Sequence, residues 1–444
     1  MFSRILIANR GAIARRIVRA CNEMGVASAA VHSDADKDAP HLAEAGQAIA
    51  LPGVRAEETY LNREALLAAL KESGADAVHP GYGFLSENAA FAEAVAEAGA
   101  VFIGPSPQWL RHMGDKSAAR RFVEERGFPV LPGSDPFEEV GAALAAAESL
   151  GYPVMVKPAG GGGGIGMSVA DSPEALARHF GRAKLMAERA FADPRVYLER
   201  YLDRPRHIEV QLLADGAGGA IHLYERECSI QRRHQKLVEE SPAPALERAG
   251  VNDLCERAER LAADMGYDSV GTLETLQDDS GRFGFMEMNT RIQVEHGVTE
   301  EVTGLDLVRA QIEIAAGGAL PERPPMNGYA VEVRVYAEDP VRHFPSTGRL
   351  SVFRPPRMHG VRVETGYAEG QRVTPYYDPL LAKVIGTGPT RELAIGRTLV
   401  ALTGFSVAGV QTNIPLLKAV LRDESFLVGR IDTGFLERMR GHPR

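Results

Sequence analysis

Along roughly the first 115 residues, short unbroken apolar runs alternate with longer stretches whose apolar positions recur three and four apart. The runs "RILIAN", "ASAAVHS", "ADAVHP" and "VFIG" predict buried strands, and "REALLAALKESG" and "SENAAFAEAVAEAG" predict helices between them. Such a rhythm predicts a parallel α/β sheet over residues 1–115. Residues 116–130 read as a helical connector, ending in the turn-rich "GFPVLPGSDP". A smaller unit follows over 131–203: helix from Phe137 to Leu150, strand "YPVMVKP", a glycine run, strand "GMSVA", helix "SPEALARHFGRAKLMAERAF" and strand "VYLERYL". From 204 to 444 antiparallel strands dominate, with helices near Leu254 to Met265 and Leu305 to Ala316. No internal repeat is visible. The chain is thus α/β at its start and α+β thereafter.

At 444 residues the chain is too long for one core and calls for about two to four domains. The net charge of −9 opposes non-specific nucleic-acid binding. Its three cysteines, Cys21, Cys228 and Cys255, lack metal-site or disulfide-framework spacing, which points to a reducing, cytoplasmic setting. No apolar stretch approaches the ~20 residues that span a bilayer, so no membrane association is expected. Residues 1–22 carry five arginines and no acid, as transit peptides do. The strand, the turn at Gly11 and the amphipathic "AIARRIVRACNEMG" argue instead for a folded strand–turn–helix.

The stretch "KPAGGGGGIGM" contains Gly161, Gly163 and Gly166 in the spacing of a dinucleotide fingerprint. That motif needs a helix to begin at the glycines, because the helix N-terminus holds the pyrophosphate. Here "MSVAD" follows, and helix signals begin only at Ser172 and Pro173. A strand–glycine–strand arrangement is a hairpin whose tip, through the amides of Gly162, Gly163 and Gly164, can fold over a triphosphate, with Lys157 at its base supplying a cation. The bland alternative is a surface loop, which rarely spends five consecutive glycines.

In "FMEMNTRIQVEHGVTE", Glu287, Asn289, Arg291, Gln293 and Glu295 occupy alternate positions, with Met286, Met288, Thr290, Ile292 and Val294 between them. An extended strand over this whole stretch would present the first set on one face. "VGTLETLQ" upstream and the "DDSGR" turn predict a hairpin that sets Glu274 opposite Glu287. Opposed like charges destabilise a ladder unless a cation lies between them, and two carboxylates with Asn289 suit magnesium. Arg291 and Glu295 lie beyond that point, where a small anion can be clamped and deprotonated. A solvated polar sheet face is the alternative. "HPGYGFLSENA" places Tyr82 at a strand end, where open α/β sheets bind ligands, with Ser86 as the expected cap of the next helix. "ERECSIQRRHQK" offers Gln231, His234 and Lys236 as polar contacts, or merely a solvated basic loop.

Together these motifs, with "ILIANRGAIA", "GDKSAAR", "AVEVRVYAEDP" and "PYYDPLLAK", resemble the biotin carboxylase family, the ATP-grasp component of biotin-dependent carboxylases. The resemblance spans essentially the whole chain. It implies an ATP-grasp fold with an N-terminal Rossmann-like (PreATP-grasp) α/β domain, a mobile lid domain and a C-terminal mixed/antiparallel domain. It implies an ATP-dependent ligase in which ATP and bicarbonate give carboxyphosphate, whose CO₂ passes to N1 of biotin. By position, Lys116, Lys157, Glu199, Leu202, His207, Gln231, His234 and Leu276 would surround ATP. Glu274, Glu287 and Asn289 would hold Mg²⁺ (or Mn²⁺). Arg291, Gln293 and Val294 would bind bicarbonate, with Glu295 as its base. Arg334 would stabilise the biotin enolate, with Tyr82 and Lys236 nearby.

Arg19, Glu23 and Arg362 match the family's dimer interface, so a homodimer is expected. With no biotin-attachment motif such as "AMKM", the chain reads as a free-standing subunit needing a biotin carboxyl carrier protein and a carboxyltransferase, whose substrate would be an acyl-CoA or a 2-oxo acid. Three positions depart from the family pattern: Ala12 for Glu, Ile165 for Arg or Lys, and Gly297 for Pro. Ile165 removes a charge from the lid tip and Gly297 loosens the backbone after the base, so altered kinetics are expected rather than inactivity. The competing readings are another ATP-grasp ligase joining a carboxylate to an amine, and a non-catalytic assembly subunit.

Overall fold

A computed structural model describes residues 1–159, 166–191, 193–233 and 235–439. The first unit is a parallel five-stranded sheet of β1 (Arg4–Ile7), β2 (Ala27–Ser33), β3 (Gln47–Leu51), β4 (Ala77–His79) and β5 (Val101–Phe102). Their order is β3-β2-β1-β4-β5, so the chain switches direction between β1 and β4. The amphipathic stretch after Gly11 forms the helix Gly11–Met24, whose Ile13, Ile17 and Val18 are buried. The helix after Tyr82 is Ala89–Glu97, and its cap is Asn88, whose side chain accepts from the Phe91 amide, not Ser86 as expected. An Asn two residues on competes for the same role, and the turn at 83–86 carries Ser86 inward.

The glycine run is flanked by β6 (Val154–Pro158) and β7 (Ser168–Ala170), paired antiparallel, with β8 (Val196–Arg200) on the other side of β6. The hairpin reading therefore holds, and Ser172 caps the following helix Pro173–Phe191 through the Ala175 amide. The helix expected from Phe137 begins at Val140, because Phe137 bridges to Val196 instead.

The third body is an eight-stranded sheet of β9 (Arg206–Ala214), β10 (Ala220–Arg232), β11 (Gln235–Ser241), β12 (Val270–Gln277), β13 (Phe283–Asn289), β14 (Tyr329–Tyr336), β17 (Val361–Glu364) and β19 (Leu380–Gly388). Its order is β13-β12-β9-β10-β11-β14-β19-β17, antiparallel throughout. Short strands β15 (Gly348–Arg349) with β18 (Arg372–Val373), and β16 (Val352–Arg354) with β20 (Ser406–Ala408), complete it. Helix Arg248–Asp264 packs on one end of the sheet and helix Arg391–Gly404 on the other. The latter was not foreseen, because its apolar residues lie scattered among polar ones without a clean stripe. Ile5, Ile13 and Ile17 of the first unit share one core with Val270, Ile292, Leu307 and Ile312, which fixes the parallel sheet against the large one.

The polar stripe is the main correction. β13 ends at Asn289, residues 290–295 form a turn-rich loop, and helix His296–Thr303 begins directly after Glu295. Met288 and Ile292 do pack inward as the alternation required. Only the first half of the stripe is strand, because the loop side chains are bound individually rather than by a ladder.

Candidate active site

A cleft of about 1340 Å³ opens between the three bodies. Every described residue assigned in sequence to ATP, magnesium, bicarbonate or biotin lines it: Tyr82, Lys116, Lys157, Glu199, Leu202, His207, Gln231, Lys236, Glu274, Leu276, Glu287, Asn289, Arg291, Gln293, Val294, Glu295 and Arg334. Gly162, Gly163, Gly164, Ile165 and His234 lie outside the described residues.

The hairpin register is as expected, with Glu274 on β12 opposite Glu287 on β13 and a bulge following Glu274. Cations meet both carboxylates. Lys116 Nζ lies 2.6 Å from Glu287 Oε2, and Lys236 Nζ lies 2.9 Å from Glu274 Oε1. Asn289 and Gln293 also donate to Glu274 Oε1, at 2.9 and 3.0 Å. Burial pushes the Glu274 carboxyl up, but Lys236 and His207 together pull it down to about 2. His207 shows the reverse balance: burial would lower its imidazole, and the Glu274 carboxylate at 3.3 Å lifts it to about 9. Oxygen donors from Glu274, Glu287 and Asn289 on adjoining strands form the set a hard divalent cation takes, so these residues fit magnesium.

At the lid base, Lys157 on β6 pairs with Glu199 on the neighbouring β8, both buried. Further along the cleft, Arg291 is splayed across three side-chain acceptors, Glu87 at 3.0 Å, Asn289 at 2.8 Å and Gln293 at 2.9 Å, and also reaches the Ile292 carbonyl at 3.4 Å. Glu295 is 1% exposed. Its Oε1 accepts from Lys236 at 2.7 Å and its Oε2 from Arg334 at 2.9 Å. Burial raises this carboxyl, yet Lys236 first and Arg334 after it leave it below the usual carboxylate range. It is a carboxylate at neutral pH, held by two cations and free to accept a proton from a ligand.

Sequence reasoning missed Glu87, Glu209, Glu239, Glu332 and Lys383. Glu209 had a readable signal: in "RHIEVQLLA", His207, Glu209 and Gln211 alternate with Ile208, Val210 and Leu212. In the sheet Glu209 stands beside Glu274, and its Oε2 receives Lys236 at 2.5 Å. The fully buried Arg226 holds the other oxygen at 2.6 Å, so Glu209 anchors Lys236. Glu332 stands in "AVEVRVYAEDP" two residues before Arg334, a cue passed over, and Glu239 lies opposite it across β11 and β14.

Comparison with known proteins places this geometry. Residues 1–110 match the biotin carboxylase N-terminal domain, 115–323 the ATP-binding domain of the carbamoyl-phosphate synthase L chain, and 332–438 the biotin carboxylase C-terminal domain. The chain is 46% identical over 442 residues to biotin carboxylase 2 of Bacillus subtilis, covering 99% of this chain and 100% of that one. It is 45% identical over 446 residues to the biotin carboxylase of Haemophilus influenzae, covering 99% of each. Among solved structures, the Campylobacter jejuni biotin carboxylase complex with β,γ-ATP superposes with a TM-score of 0.97 at 42% identity, covering 99% of both chains. The biotin carboxylase domain dimer of Hydrogenobacter thermophilus 2-oxoglutarate carboxylase, solved with MgADP, ADP and bicarbonate, gives 0.96 at 42% identity, covering 99% of this chain and 98% of that one. With an ATP-grasp fold, three domain matches in order and identity sustained from end to end, the chain belongs to the biotin carboxylase family and is an ATP-dependent ligase.

Proposed function

We propose that the cleft binds MgATP, bicarbonate and biotin in sequence along its length, with the residue roles drawn from the resemblance. The observation that carries this is Glu295, a buried carboxylate held by Lys236 and Arg334 in the same cleft as the Glu274–Glu287 pair. Lys116, Lys157, Glu199, Leu202, His207, Gln231, His234 and Leu276 surround the nucleotide, and the hairpin tip at Gly162, Gly163 and Gly164 covers its phosphates. Glu274, Glu287 and Asn289 hold the divalent ion, which when bound neutralises phosphate charge and aligns the γ-phosphoryl group.

Arg291, Gln293 and Val294 seat bicarbonate. Glu295 accepts its hydroxyl proton, and the bicarbonate oxygen so exposed attacks the γ-phosphorus as ADP leaves, giving carboxyphosphate. Carboxyphosphate then splits into CO₂ and phosphate, the phosphate takes the proton from biotin N1, and Arg334, with Tyr82 close by in the cleft, stabilises the negative oxygen that biotin develops before N1 bonds to CO₂. When bicarbonate enters, Arg291 must exchange part of its contact with Glu87, Asn289 and Gln293 for the anion.

We also assign the wider setting. The unit boundaries are 1–115, 116–130, 131–203 and 204–444, which the separate sheets support. The chain works as a cytoplasmic homodimer through the surface bearing Arg19, Glu23 and Arg362, and delivers CO₂ to biotin on a carrier protein for a carboxyltransferase. The final acceptor is an acyl-CoA of the acetyl or propionyl type or a 2-oxo acid; relatives of both kinds resemble the chain, a methylcrotonoyl-CoA carboxylase subunit on one side and domains of 2-oxoglutarate and pyruvate carboxylases on the other. The deciding experiment measures ADP release with MgATP, bicarbonate and free biotin. Biotin-stimulated release supports the reading; nucleotide binding without hydrolysis would favour an assembly role, and biotin-independent turnover with an amine would favour another ligase.

A further inference from the structure

Lys383 lies at the centre of a three-strand row: Arg334 on β14 is its neighbour on one side and Glu364 on β17 its neighbour on the other. It is 1% exposed. Its Nζ donates to the carbonyl oxygen of Val294 at 2.5 Å, with Glu364 Oε2 at 2.9 Å and Glu332 Oε2 at 3.7 Å. That carbonyl belongs to the peptide bond joining Val294 to Glu295. Two adjacent cations of one sheet therefore act on Glu295, Arg334 directly at its carboxylate and Lys383 through the carbonyl of the residue before it.

Two like charges side by side on a sheet repel unless acids intervene, and here the carboxylates of Glu295 beside Arg334 and Glu364 beside Lys383 do so. An ammonium this deeply buried needs such partners, and a neutral apolar residue would fill the slot without them. The spatial reason for a cation is the loop: residues 290–295 belong to neither β13 nor the helix that follows, so no ladder orients the Val294–Glu295 peptide. Glu364 is itself held by Arg19 at 3.0 Å and by Arg362, which also reaches Glu300 at 2.6 Å. A continuous ionic chain thus runs from the outer strand β17 to the peptide of the residue read as the base.

We infer that Lys383 is a positioning residue for biotin carboxylation: by fixing the Val294–Glu295 peptide, it sets where the Glu295 carboxylate meets bicarbonate. This rests on reading Glu295 as the base. The test compares Lys383→Met, Lys383→Arg and Glu364→Gln in the full chain, reading bicarbonate KM, kcat and the Kd of an ATP analogue. Misplacing a reacting group by a fraction of an ångström costs about tenfold or more, so Lys383→Met should raise bicarbonate KM and lower kcat by a combined tenfold or more, with nucleotide Kd within about twofold of wild type. Lys383→Arg, which restores a donor, should recover part of that loss.

Wild-type bicarbonate KM and kcat in folded Lys383→Met would overturn the inference, as would equal losses of nucleotide and bicarbonate affinity. Should Lys383→Met fail to fold, Glu364→Gln decides: it keeps the lysine and weakens its anchor, so a raised bicarbonate KM with unchanged nucleotide Kd supports the role, and unchanged parameters refute it. Wild-type protein that shows no biotin-stimulated ADP release defeats the functional reading; active wild type with indifferent variants defeats only the positioning role.

Discussion

Arg334 Nη2 lies 2.9 Å from Glu295 Oε2 and 2.5 Å from Glu239 Oε1, so the cation assigned to biotin's developing negative charge also holds the carboxylate assigned as base. Arg334→Ala removes the first function and frees one side of Glu295. Loss of a preorganised charge donor costs about 10²–10³ in rate, so biotin-dependent turnover should fall by that factor. Affinity for an ATP analogue should stay at the wild-type value, because Arg334 does not touch the residues assigned to the nucleotide. Calorimetric titration beside steady-state ADP release separates the two.

Lys236 makes a different prediction, one of pH. Burial raises the Glu295 carboxyl, and Lys236 is the strongest of the groups that bring it back below the ordinary range. The base must be ionised to work, so its depressed pKa keeps it competent to more acidic pH than a free carboxylate. In Lys236→Gln that pull is lost, and the acid limb of kcat/KM for bicarbonate should move to higher pH, with a plateau lower by about 10². Profiles of wild type and variant that fall together on the acid side would remove Lys236 from this role.

Glu239 predicts a stability effect with a defined sign. Burial drives its carboxyl up, Arg334 opposes, Glu332 and Glu295 add to the rise, and the result is about 8. Between the ordinary value near 4.5 and about 8 the folded chain keeps a proton that the unfolded chain gives up. The folded state binds more protons there, so stability contributed by this group is full below pH 4.5 and is lost as pH rises through 8. Glu239→Gln abolishes that dependence. Relative to the variant, wild type should lose roughly 4 kcal/mol between pH 5 and pH 8.5, about 1.4 kcal/mol for each pH unit up to 8. His207, lifted to about 9, contributes a slope of the same sign in both proteins and cancels in the difference between the two urea-midpoint curves, which reports Glu239 together with the response of Glu332 opposite it.

The readability of this site in sequence followed the length scale of the interactions that build it. Glu274 and Glu287 were legible because a hairpin fixes its register locally through turn length, and the paired residues stand where the "DDSGR" turn puts them. The lid hairpin was legible for the same reason. The extended reading of Arg291 to Glu295 failed because strand and loop share the same alternation over a few residues, and the helix at His296 stops the strand from continuing. Lys383 and Glu239 were illegible because their meaning comes from neighbours in the sheet rather than in the chain: Lys383 lies 89 residues from Val294. The role transfers to Arg291, Glu295 and Arg334 needed the family resemblance; periodicity alone gave only a row of polar side chains.

Gly297 is where two physical accounts of one residue predict opposite signs. If the glycine serves looseness after Glu295, alanine stiffens the chain and stabilises it by about 0.4–1 kcal/mol, since the unfolded state loses freedom and the helix gains propensity. The structure argues for space instead. Gly297 is the second residue of helix His296–Thr303, and a Cβ there would meet Ile385 Cδ1 at 2.4 Å and Glu332 Oε2 at 3.2 Å. Ile385 is fully buried in one cluster with Val298, Val302 and Ala330, so its methyl must give way inside a packed core. Overpacking of that kind costs about 1–3 kcal/mol, which outweighs the gain. Gly297→Ala should therefore lower the urea midpoint by the equivalent of about 1 kcal/mol, the difference between those two terms. Because the helix starts at the residue after Glu295, the same push displaces the base, and bicarbonate KM should rise while nucleotide affinity holds. A stabilised Gly297→Ala protein would return the position to the looseness account.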